Sequence, residues 1–477
     1  MRPALIQVLL LAALLLAGMA HSAPDSHRVV QASEILAMIE RGEDVEYDGV
    51  IVEGDLELSG LDLPKEHVER NDDEVEVMDS GEGSKRINSS IRIVESEIRG
   101  TVNLSNMILL GPVDFNFTNF SGPIDICGCQ FENDTGFVAS QFNGYALFVN
   151  ANFDDNISFI ESQFNYYAVF WSARFDQNVS FLNSQFGDDV SFMDARFCES
   201  AEFAETKFSG SASFKNASFN KTADFKGAQF SDNVYFRESE FNKTANFEWV
   251  QFEKDSSFRD SNFEGTAIFN ESQFTGNALF EGAVFNNTLF LKRARFNKLY
   301  IRWDSISNKL AYDDEIYLLL IDNYKKLGLY ADADNCYYYY RKELCRNLSI
   351  YHKPIDYFLM FLYGYGVKPV RPLLASSIVI LLFGLAFWFM GGITLAEADE
   401  SGKKDPRRVS PIGTLLFSST VFLSGTKLFI DPPKYRIRSR RSTHRITAFK
   451  CMFTLERVLG MILFFMFLIT IGNTLIR

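Results

Sequence analysis

A phenylalanine recurs along the chain at intervals that alternate between five and six residues, which gives a period of eleven. A small or β-branched residue stands two positions before nearly every member, as Ser140 precedes Phe142. A period this short excludes stacked helical hairpins, which need about 34 residues per unit. It predicts a chain that coils and lays each turn on the previous one. One half of the series comprises Phe142, Phe153, Phe164, Phe175, Phe186, Phe197, Phe208, Phe219, Phe230, Phe241, Phe252, Phe263, Phe274 and Phe285.

A large and a small residue two positions apart lie on the same side of an extended chain. The interior should therefore hold a ladder of Phe rings beside a ladder of Ala, Ser and Val, with Asn, Asp and Gly at the corners. This pattern resembles the pentapeptide-repeat proteins, and the resemblance implies a right-handed four-sided parallel β-helix. One extra residue in every second repeat departs from the family's five-residue pattern and leaves the squareness of the coil open.

The N-terminal segment has the features of an export signal. Arg2 precedes an apolar run from Leu5 to Ala17, and small residues follow. We interpret residues 1–23 as a secretory signal, with an uncleaved signal anchor as the alternative. Either interpretation places the repeats on the same side of the membrane.

The repeats are expected to be closed at both ends. Ser33 followed by an apolar pattern predicts a capped short helix, so residues 28–103 form the N-terminal cap and the first irregular coils. The regular β-helix is predicted over residues 104–301. A helical pattern over residues 312–350 predicts a hairpin that caps the second end. The acidic run between residues 66 and 82 is interpreted as a solvated loop.

Residues 355–477 are predicted to form a membrane domain. Residues 373–393 carry no charge and are long enough to span the hydrocarbon core, and residues 458–476 form a second such stretch. A weaker apolar stretch, residues 411–430, lies between them and is rich in Ser and Thr. We interpret this stretch as a re-entrant-like segment.

The order of helix, short loop and helix resembles the two-helix pore module of the potassium-channel family. In that family the carbonyls of a T-x-G-Y-G filter replace the hydration shell of the ion in a tetramer. The resemblance implies an ion-conducting homotetramer with a degenerate filter, because only Gly425 matches a filter glycine and Thr426-Lys427 replaces the Tyr-Gly pair. The pore-loop candidates are Ser419, Thr420, Ser424, Gly425 and Thr426. The alternative hypothesis is a non-conducting extracytoplasmic scaffold anchored by the two helices.

A Gly-Tyr-Gly sequence does occur at residues 364–366, directly before the first spanning stretch. No spanning segment precedes it among the repeats, so it cannot lie between two pore helices. We predict an interfacial turn there.

Charge is divided unevenly between the two ends of the chain. Up to Leu395 there are 33 Lys and Arg against 55 Asp and Glu, and from Ala396 there are 14 against 6. Short basic loops stay in the cytoplasm, so the repeats are predicted to be extracytoplasmic in a multi-pass protein of the cell membrane. The expected partners are membrane lipid, a cell-envelope protein and further copies of the chain. An exported rod would not meet nucleic acid.

No motif of an enzyme is present. The sequence lacks a nucleophile elbow, an HExxH motif and a phosphate loop. The five histidines are scattered and the six cysteines form no ligand pattern, so neither a metal nor a cofactor is expected. The sequence therefore favours a structural, binding or channel function over catalysis.

Overall fold

The computed structural model describes residues 28–66, 84–390, 393–395, 410–426, 435–437 and 443–475. The chain divides into two compact units, Met1–Ala311 and Tyr312–Arg477. The predicted signal, and the acidic run beyond residue 66, lie outside the described residues.

The first unit is a parallel β-solenoid of about 12 turns, as the Phe period predicts. Each turn has 22 residues, because Phe142 pairs with Phe164 and Phe164 pairs with Phe186. Backbone bonds join successive turns, such as the 2.7 Å bond from Phe170 N to Ser191 O. Short strands on four faces build each turn, and we number the faces 1 to 4 in chain order around it.

The strands of faces 1 and 2 belong to one sheet. In each of the last two turns a single long strand runs along both faces. Face 1 comprises Arg28–Gln31, Val50–Glu53, Glu97–Ile98, Asn119–Phe120, Gln141–Phe142, Gln163–Phe164, Gln185–Phe186, Lys207–Phe208, Gln229–Phe230, Gln251–Phe252, Gln273–Leu279 and Arg295–Tyr300. Face 2 comprises Leu56–Glu57, Val102–Asn103, Ile124–Asp125, Ala146–Leu147, Ala168–Val169, Val190–Ser191, Ala212–Ser213, Val234–Tyr235 and Ser256–Ser257, followed by the two shared strands.

Faces 3 and 4 are separate ladders, each with 11 described strands. Face 3 comprises Lys65–Glu66, Ser84–Ile87, Met107–Leu109, Gln130–Phe131, Asn152–Phe153, Arg174–Phe175, Arg196–Phe197, Ser218–Phe219, Glu240–Phe241, Asn262–Phe263 and Val284–Phe285. Face 4 comprises Val45–Asp48, Ile91–Val94, Val113–Asp114, Thr135–Gly136, Ile157–Ser158, Val179–Ser180, Ala201–Glu202, Ala223–Asp224, Ala245–Asn246, Ala267–Ile268 and Leu289–Phe290.

Two kinds of corner alternate and explain the eleven-residue period. A tight corner has two residues, Lys215 and Asn216 for example, and Ala217 N donates to Phe214 O at 3.1 Å. A wide corner has three residues, as at 220–222, and accommodates the extra residue of every second repeat. The four-sided coil is therefore retained.

The second residue of each tight corner is left-handed, with a φ of 57° at Asn216. In the regular turns this conformation recurs every eleven residues. The non-glycine residues that adopt it are Asn106, Phe117, Ala139, Asn150, Glu161, Ser172, Asn183, Asp194, Glu205, Asn216, Glu238, Trp249, Asp260, Glu271 and Arg293.

We expect this backbone constraint to be measurable at Ser172, whose φ is 53°. Val is β-branched and disfavours a positive φ, so Ser172→Val should lower the free energy of unfolding by about 1–3 kcal/mol. Ser172→Gly removes the steric conflict and should be neutral or slightly stabilising. Urea unfolding followed by circular dichroism measures both. Equal losses for Val and Gly would contradict a backbone origin.

Four columns of phenylalanine fill the interior. The fourteen Phe residues from Phe142 to Phe285 named above are all buried, with at most 4% of each exposed. Rings in one column stack, as Phe142 and Phe164 do with centroids 4.4 Å apart and planes 4° apart. Some hydroxyls at the small positions donate to the previous turn, as Ser184 Oγ does to Phe159 O at 2.6 Å, and others donate within their own turn, as Ser239 Oγ does to Phe236 O at 2.6 Å. The sequence therefore specifies a solid core.

Short helices lie at both ends of the first unit. Helix α1 (Ala32–Glu40) buries Ile35 and Ile39. It follows Gln31 directly and has no side-chain cap, so the predicted cap at Ser33 is wrong; Ser33 lies in the first turn because residues 28–31 form a strand. Helix α2 (Trp303–Ile306) packs on the strand Val284–Phe285 at the other end and is partly buried there.

The second unit is mainly helical. A short antiparallel pair joins Ile393–Leu395 to Tyr435–Ile437, and 3₁₀ turns lie at Gly364–Gly366 and Ser424–Thr426. Its helices are α3 (Asp314–Lys326), α4 (Tyr330–Asn347), α5 (Lys353–Tyr363), α6 (Val370–Met390), α7 (Pro411–Leu423) and α8 (Thr443–Leu475).

Helices α3 and α4 form the hairpin expected within residues 312–350. Asp313 caps α3 by accepting a bond from Ile316 N, and Gly328 with a φ of 72° separates the two helices. Leu320 and Tyr324 are buried in the second unit. That this hairpin covers the end of the solenoid stays a prediction.

Among the described residues, two helices are long and apolar enough to cross a membrane, α6 and the part of α8 from Thr447 to Gly472. Helix α8 begins at Thr443, fifteen residues before the predicted start. The sequence analysis began the span only after Arg457, but a charged side chain does not end a helix. Helix α5 was not expected.

Candidate functional site

The re-entrant-like segment contains a short helix between the two longer ones. Helix α7 has 13 residues and is about 20 Å long, too short for a hydrocarbon core of about 30 Å. It packs against both α6 and α8. The contact is built on a buried cluster of Phe387, Phe417, Val421 and Phe449. Residues 427–430, the end of the predicted segment, lie outside the described residues.

Every hydroxyl among the pore-loop candidates donates to a carbonyl of its own segment, within one turn. These bonds are 2.7–3.1 Å long. Ser424 is also fully buried. The bonds run from Ser419 and Thr420 to Leu416, from Ser424 to Val421, and from Thr426 to Leu423.

Gly425 lies against helix α8 of the same chain. A Cβ at Gly425 would be 2.2 Å from Arg457 O, and a Cβ at Gly460 would be 2.2 Å from Phe422 O. Real Cβ atoms do not approach oxygen so closely. The end of α7 and the middle of α8 therefore touch backbone to backbone, and both glycines are required by packing.

A buried carboxyl group lies beside this contact. Glu456, on α8, is fully buried, and its Oε1 contacts the hydroxyl of Ser418 on α7. Ser418 Oγ also donates to Ile380 O of α6 at 2.8 Å. Glu456 Oε2 has no hydrogen-bond partner among the described residues. The sequence analysis named neither Glu456 nor Ser418 as a site residue. The feature that could have identified Glu456 is an acidic residue next to a long apolar stretch.

An apolar surface on face 2 is the second candidate. Tyr167, Val169 and Trp171 alternate with the buried Ala168 and Phe170, so their side chains point outward. On the preceding turn, Tyr145 and Leu147 occupy the equivalent positions. We call Tyr145, Leu147, Tyr167, Val169 and Trp171 the face 2 patch.

The aromatic side chains of the face 2 patch are held in place although they are exposed. Tyr145 and Tyr167 stack with centroids 5.5 Å apart and planes 10° apart. Trp171, 46% exposed, donates its indole N–H to Asp194 at 2.8 Å. The following turn carries Asp189 and Ser191 instead, so the patch is confined to two turns. The sequence analysis missed it because the outward positions vary from turn to turn.

Face 4 has an open groove of about 480 Å³. It forms because Gly136, Ser158 and Ser180 leave the outward side of three successive turns without long side chains. Asp114 and Asp134 line it as well. No group of three or more His, Cys, Asp or Glu in the described part of the chain is placed to hold a metal ion.

The Gly-Tyr-Gly sequence forms a left-handed turn, with φ values of 58°, 56° and 83° at residues 364–366. The turn directs Tyr365 inward, and its hydroxyl donates to Asp356 Oδ2 at 2.6 Å. Arg341 Nη2 donates to the other oxygen of Asp356 at 3.0 Å. The position of this turn at a membrane interface stays a prediction.

We expect Asp356→Asn to destabilise the second unit by about 2 kcal/mol at neutral pH, since a buried carboxylate loses charge-assisted bonds. Arg341 is partly exposed, which keeps the value below that of a fully buried pair. Asp322→Asn is the matched control, because Asp322 is exposed and pairs with Lys326 on the surface. Thermal unfolding in detergent measures both, and equal effects would contradict the assignment.

The same carboxyl group predicts an acid dependence. Burial raises the pKa of Asp356, but hydrogen bonds from Tyr365, Cys345 and Arg341 outweigh it, and the net pKa lies below the ordinary value. The pKa of Asp356 is lower in the folded state than in the unfolded state. The stabilisation that its carboxylate contributes is therefore present above about pH 4 and is lost as the pH falls through the folded-state pKa. The Asp356→Asn variant should lose less stability on acidification than the wild type.

A model of the family described as pentapeptide repeats (9 copies) matches residues 198–240 and 225–273. These residues belong to turns of the solenoid that carry the Phe columns. No family match supports an ion-channel pore module in the C-terminal helices, and neither a curated protein nor a solved structure matches the chain.

Proposed function

Because the chain contains pentapeptide repeats in a solid β-solenoid, we propose that it is a membrane-anchored scaffold that binds a cell-envelope component through the solenoid surface. Stacked Phe rings fill the interior, so a partner must bind outside the coil. The observation that carries the proposal is the face 2 patch. Its aromatic side chains are exposed and yet oriented by stacking and by the bond from Trp171 to Asp194. Exposed apolar patches of this kind typically mark interaction sites.

The binding surface is tested by site-specific crosslinking in the full-length protein in native membranes. A photoreactive residue at Trp171 should give a crosslinked adduct. The matched position is Trp249, which is equally exposed but lies at another corner with Lys226 Nζ 4.5 Å from its ring. An adduct at position 171 and none at 249 supports the proposal. No adduct at 171, or equal adducts at both positions, would contradict it.

Anchoring is supported by the two apolar helices α6 and α8. We expect the full chain to stay with membranes after an alkaline carbonate wash and a chain ending at Ala311 to be released.

The side of the membrane on which the solenoid lies is tested with a single Cys at Ser439 in a Cys-free background and a membrane-impermeant maleimide. Labelling only after cell lysis would agree with an extracytoplasmic solenoid. Labelling of intact cells would place the solenoid in the cytoplasm and refute that part.

Ion conduction is the second candidate function, and the short helix α7 between two longer apolar helices is the observation in its favour. Gly425→Leu is unsuitable as a test, because Gly425 packs against Arg457 O. Thr420→Val is better, since Thr420 is partly exposed and its hydroxyl bonds only to its own helix. Ion flux through reconstituted vesicles that this variant alters, together with a tetramer, would support conduction. A protein with neither property would exclude it.

A further inference from the structure

The contact among α6, α7 and α8 contains a buried carboxyl group, that of Glu456, and one of its oxygens has no partner among the described residues. We propose that Glu456 and Ser418 form a proton-binding site in the second unit, with the proton carried by Glu456. The inference is independent of the scaffold function, because it concerns the helices alone.

The number of hydrogens available at Ser418 indicates that Glu456 carries the proton. Ser418 has one hydroxyl hydrogen, and two oxygen acceptors contact its Oγ: Ile380 O at 2.8 Å and Glu456 Oε1. One hydrogen can serve only one of them at full strength. If Ser418 donates to Ile380 O, the contact with Glu456 is a hydrogen bond only when Glu456 donates. A protonated carboxyl group satisfies both contacts, whereas a carboxylate leaves two acceptors competing for one hydrogen.

In the part of the chain that the structure describes, Glu456 forms no ion pair that would favour the carboxylate. Helix α6 from Pro372 onward and the whole of α7 contain no ionisable residue. On α8, Arg457 directs Nη2 to Ser424 O at 3.4 Å and stacks near the Phe453 ring, and Lys450 is exposed. An unpaired carboxylate buried among apolar side chains is strongly disfavoured relative to one in water. Binding a proton removes that cost.

A metal ion fits the same position poorly. Glu456 Oε2 has no polar partner, and no cluster of three acidic, His or Cys ligands exists in the described residues. The close contacts at Gly425 and Gly460 leave α7 and α8 tightly packed beside it. A proton needs one oxygen and no further ligands.

The proton would link three helices through one hydrogen-bond chain. Glu456 O–H on α8 donates to Ser418 Oγ on α7, and Ser418 O–H donates to Ile380 O on α6. Release of the proton to solvent leaves a carboxylate, and Ser418 must then abandon one of its two acceptors. The packing of α6, α7 and α8 therefore depends on the proton.

Infrared spectroscopy of the full-length protein in detergent tests the assignment directly. At neutral pH the wild type should show the C=O stretch of a protonated carboxylic acid, and Glu456→Gln should lack it. The thermal midpoint of the wild type should fall as the pH becomes alkaline. Glu456→Gln should show no such fall, because its amide N–H donates to Ser418 and does not titrate. An unchanged C=O band in Glu456→Gln, or the same alkaline fall in both proteins, would overturn the proposal.

A pair of neighbouring serines provides a test that does not require removing Glu456. Ser418→Ala should shift the carboxylic acid band, because the O–H of Glu456 loses its acceptor. Ser419→Ala should leave the band unchanged, since Ser419 bonds only to Leu416 O. A band that both variants shift equally, or that neither shifts, would contradict the contact between Glu456 and Ser418.

Discussion

Phe192→Ala should lower the free energy of unfolding of the solenoid by about 3–5 kcal/mol. Phe192 is fully buried near the middle of the coil, and six other phenylalanine rings contact it. Deleting the ring removes these contacts and leaves a cavity that the rigid turns above and below cannot close. The ring centroids lie 4.7 Å from Phe170, 4.9 Å from Phe214, 5.3 Å from Phe181 and Phe203, 6.1 Å from Phe186 and 6.3 Å from Phe197.

Urea unfolding followed by circular dichroism measures this loss, with Tyr235→Ala as the control. Tyr235 is also aromatic and lies in a strand of the same solenoid, but it points outward from face 2 and is exposed. We expect the control to change the unfolding free energy by less than about 0.5 kcal/mol. A small effect at Phe192 would mean that neighbouring turns collapse into the space.

Gly460→Ala should destabilise the second unit by about 3 kcal/mol. The added Cβ would lie 2.2 Å from Phe422 O, and a backbone carbonyl cannot move aside without separating α7 from α8. The thermal midpoint of the full chain in detergent should fall accordingly.

Gly384→Ala is the control for this prediction, because it also adds a Cβ at a close contact but meets the end of a side chain first. Its Cβ would lie 2.7 Å from Leu415 Cδ2, the end of a flexible side chain that can change rotamer. We therefore expect a smaller loss than at Gly460. Equal losses at the two glycines would argue against a backbone contact as the cause.

The sequence predicted the solenoid because its core repeats a simple physical requirement in every turn. Each Phe fills one level of a column, and each small residue two positions earlier leaves room for it, as Ala168 does for Phe170. The requirement is local, so spacing alone reveals it. The left-handed corners could not be recognised in the same way, because Ser172, Glu161 and Asn183 share a backbone angle and no side-chain chemistry.

The helical unit was less accessible to sequence reasoning. Ser418 and Glu456 are 38 residues apart and meet only through the packing of α7 on α8. Helix α8 begins at Thr443, well before the predicted span 458–476, because a span was recognised from its apolar residues and a helix can extend beyond them. The pore-loop interpretation rested on residue order, and the close approach of Gly425 to Arg457 O depends on tertiary contacts that residue order does not contain.

The alternation of tight and wide corners has a consequence for how the solenoid can change in length. In the regular turns, each strand of face 3 follows a strand of face 1 by eleven residues, which is the period of the Phe repeat. These two opposite faces therefore carry Phe at equivalent positions. A duplication of 22 residues would add one turn, lengthen the rod by about 4.8 Å and keep every outward side chain on its face. A duplication of eleven residues would preserve the Phe columns equally well, yet transfer all later outward residues to the opposite side. The core therefore tolerates both events, and only the surface distinguishes them.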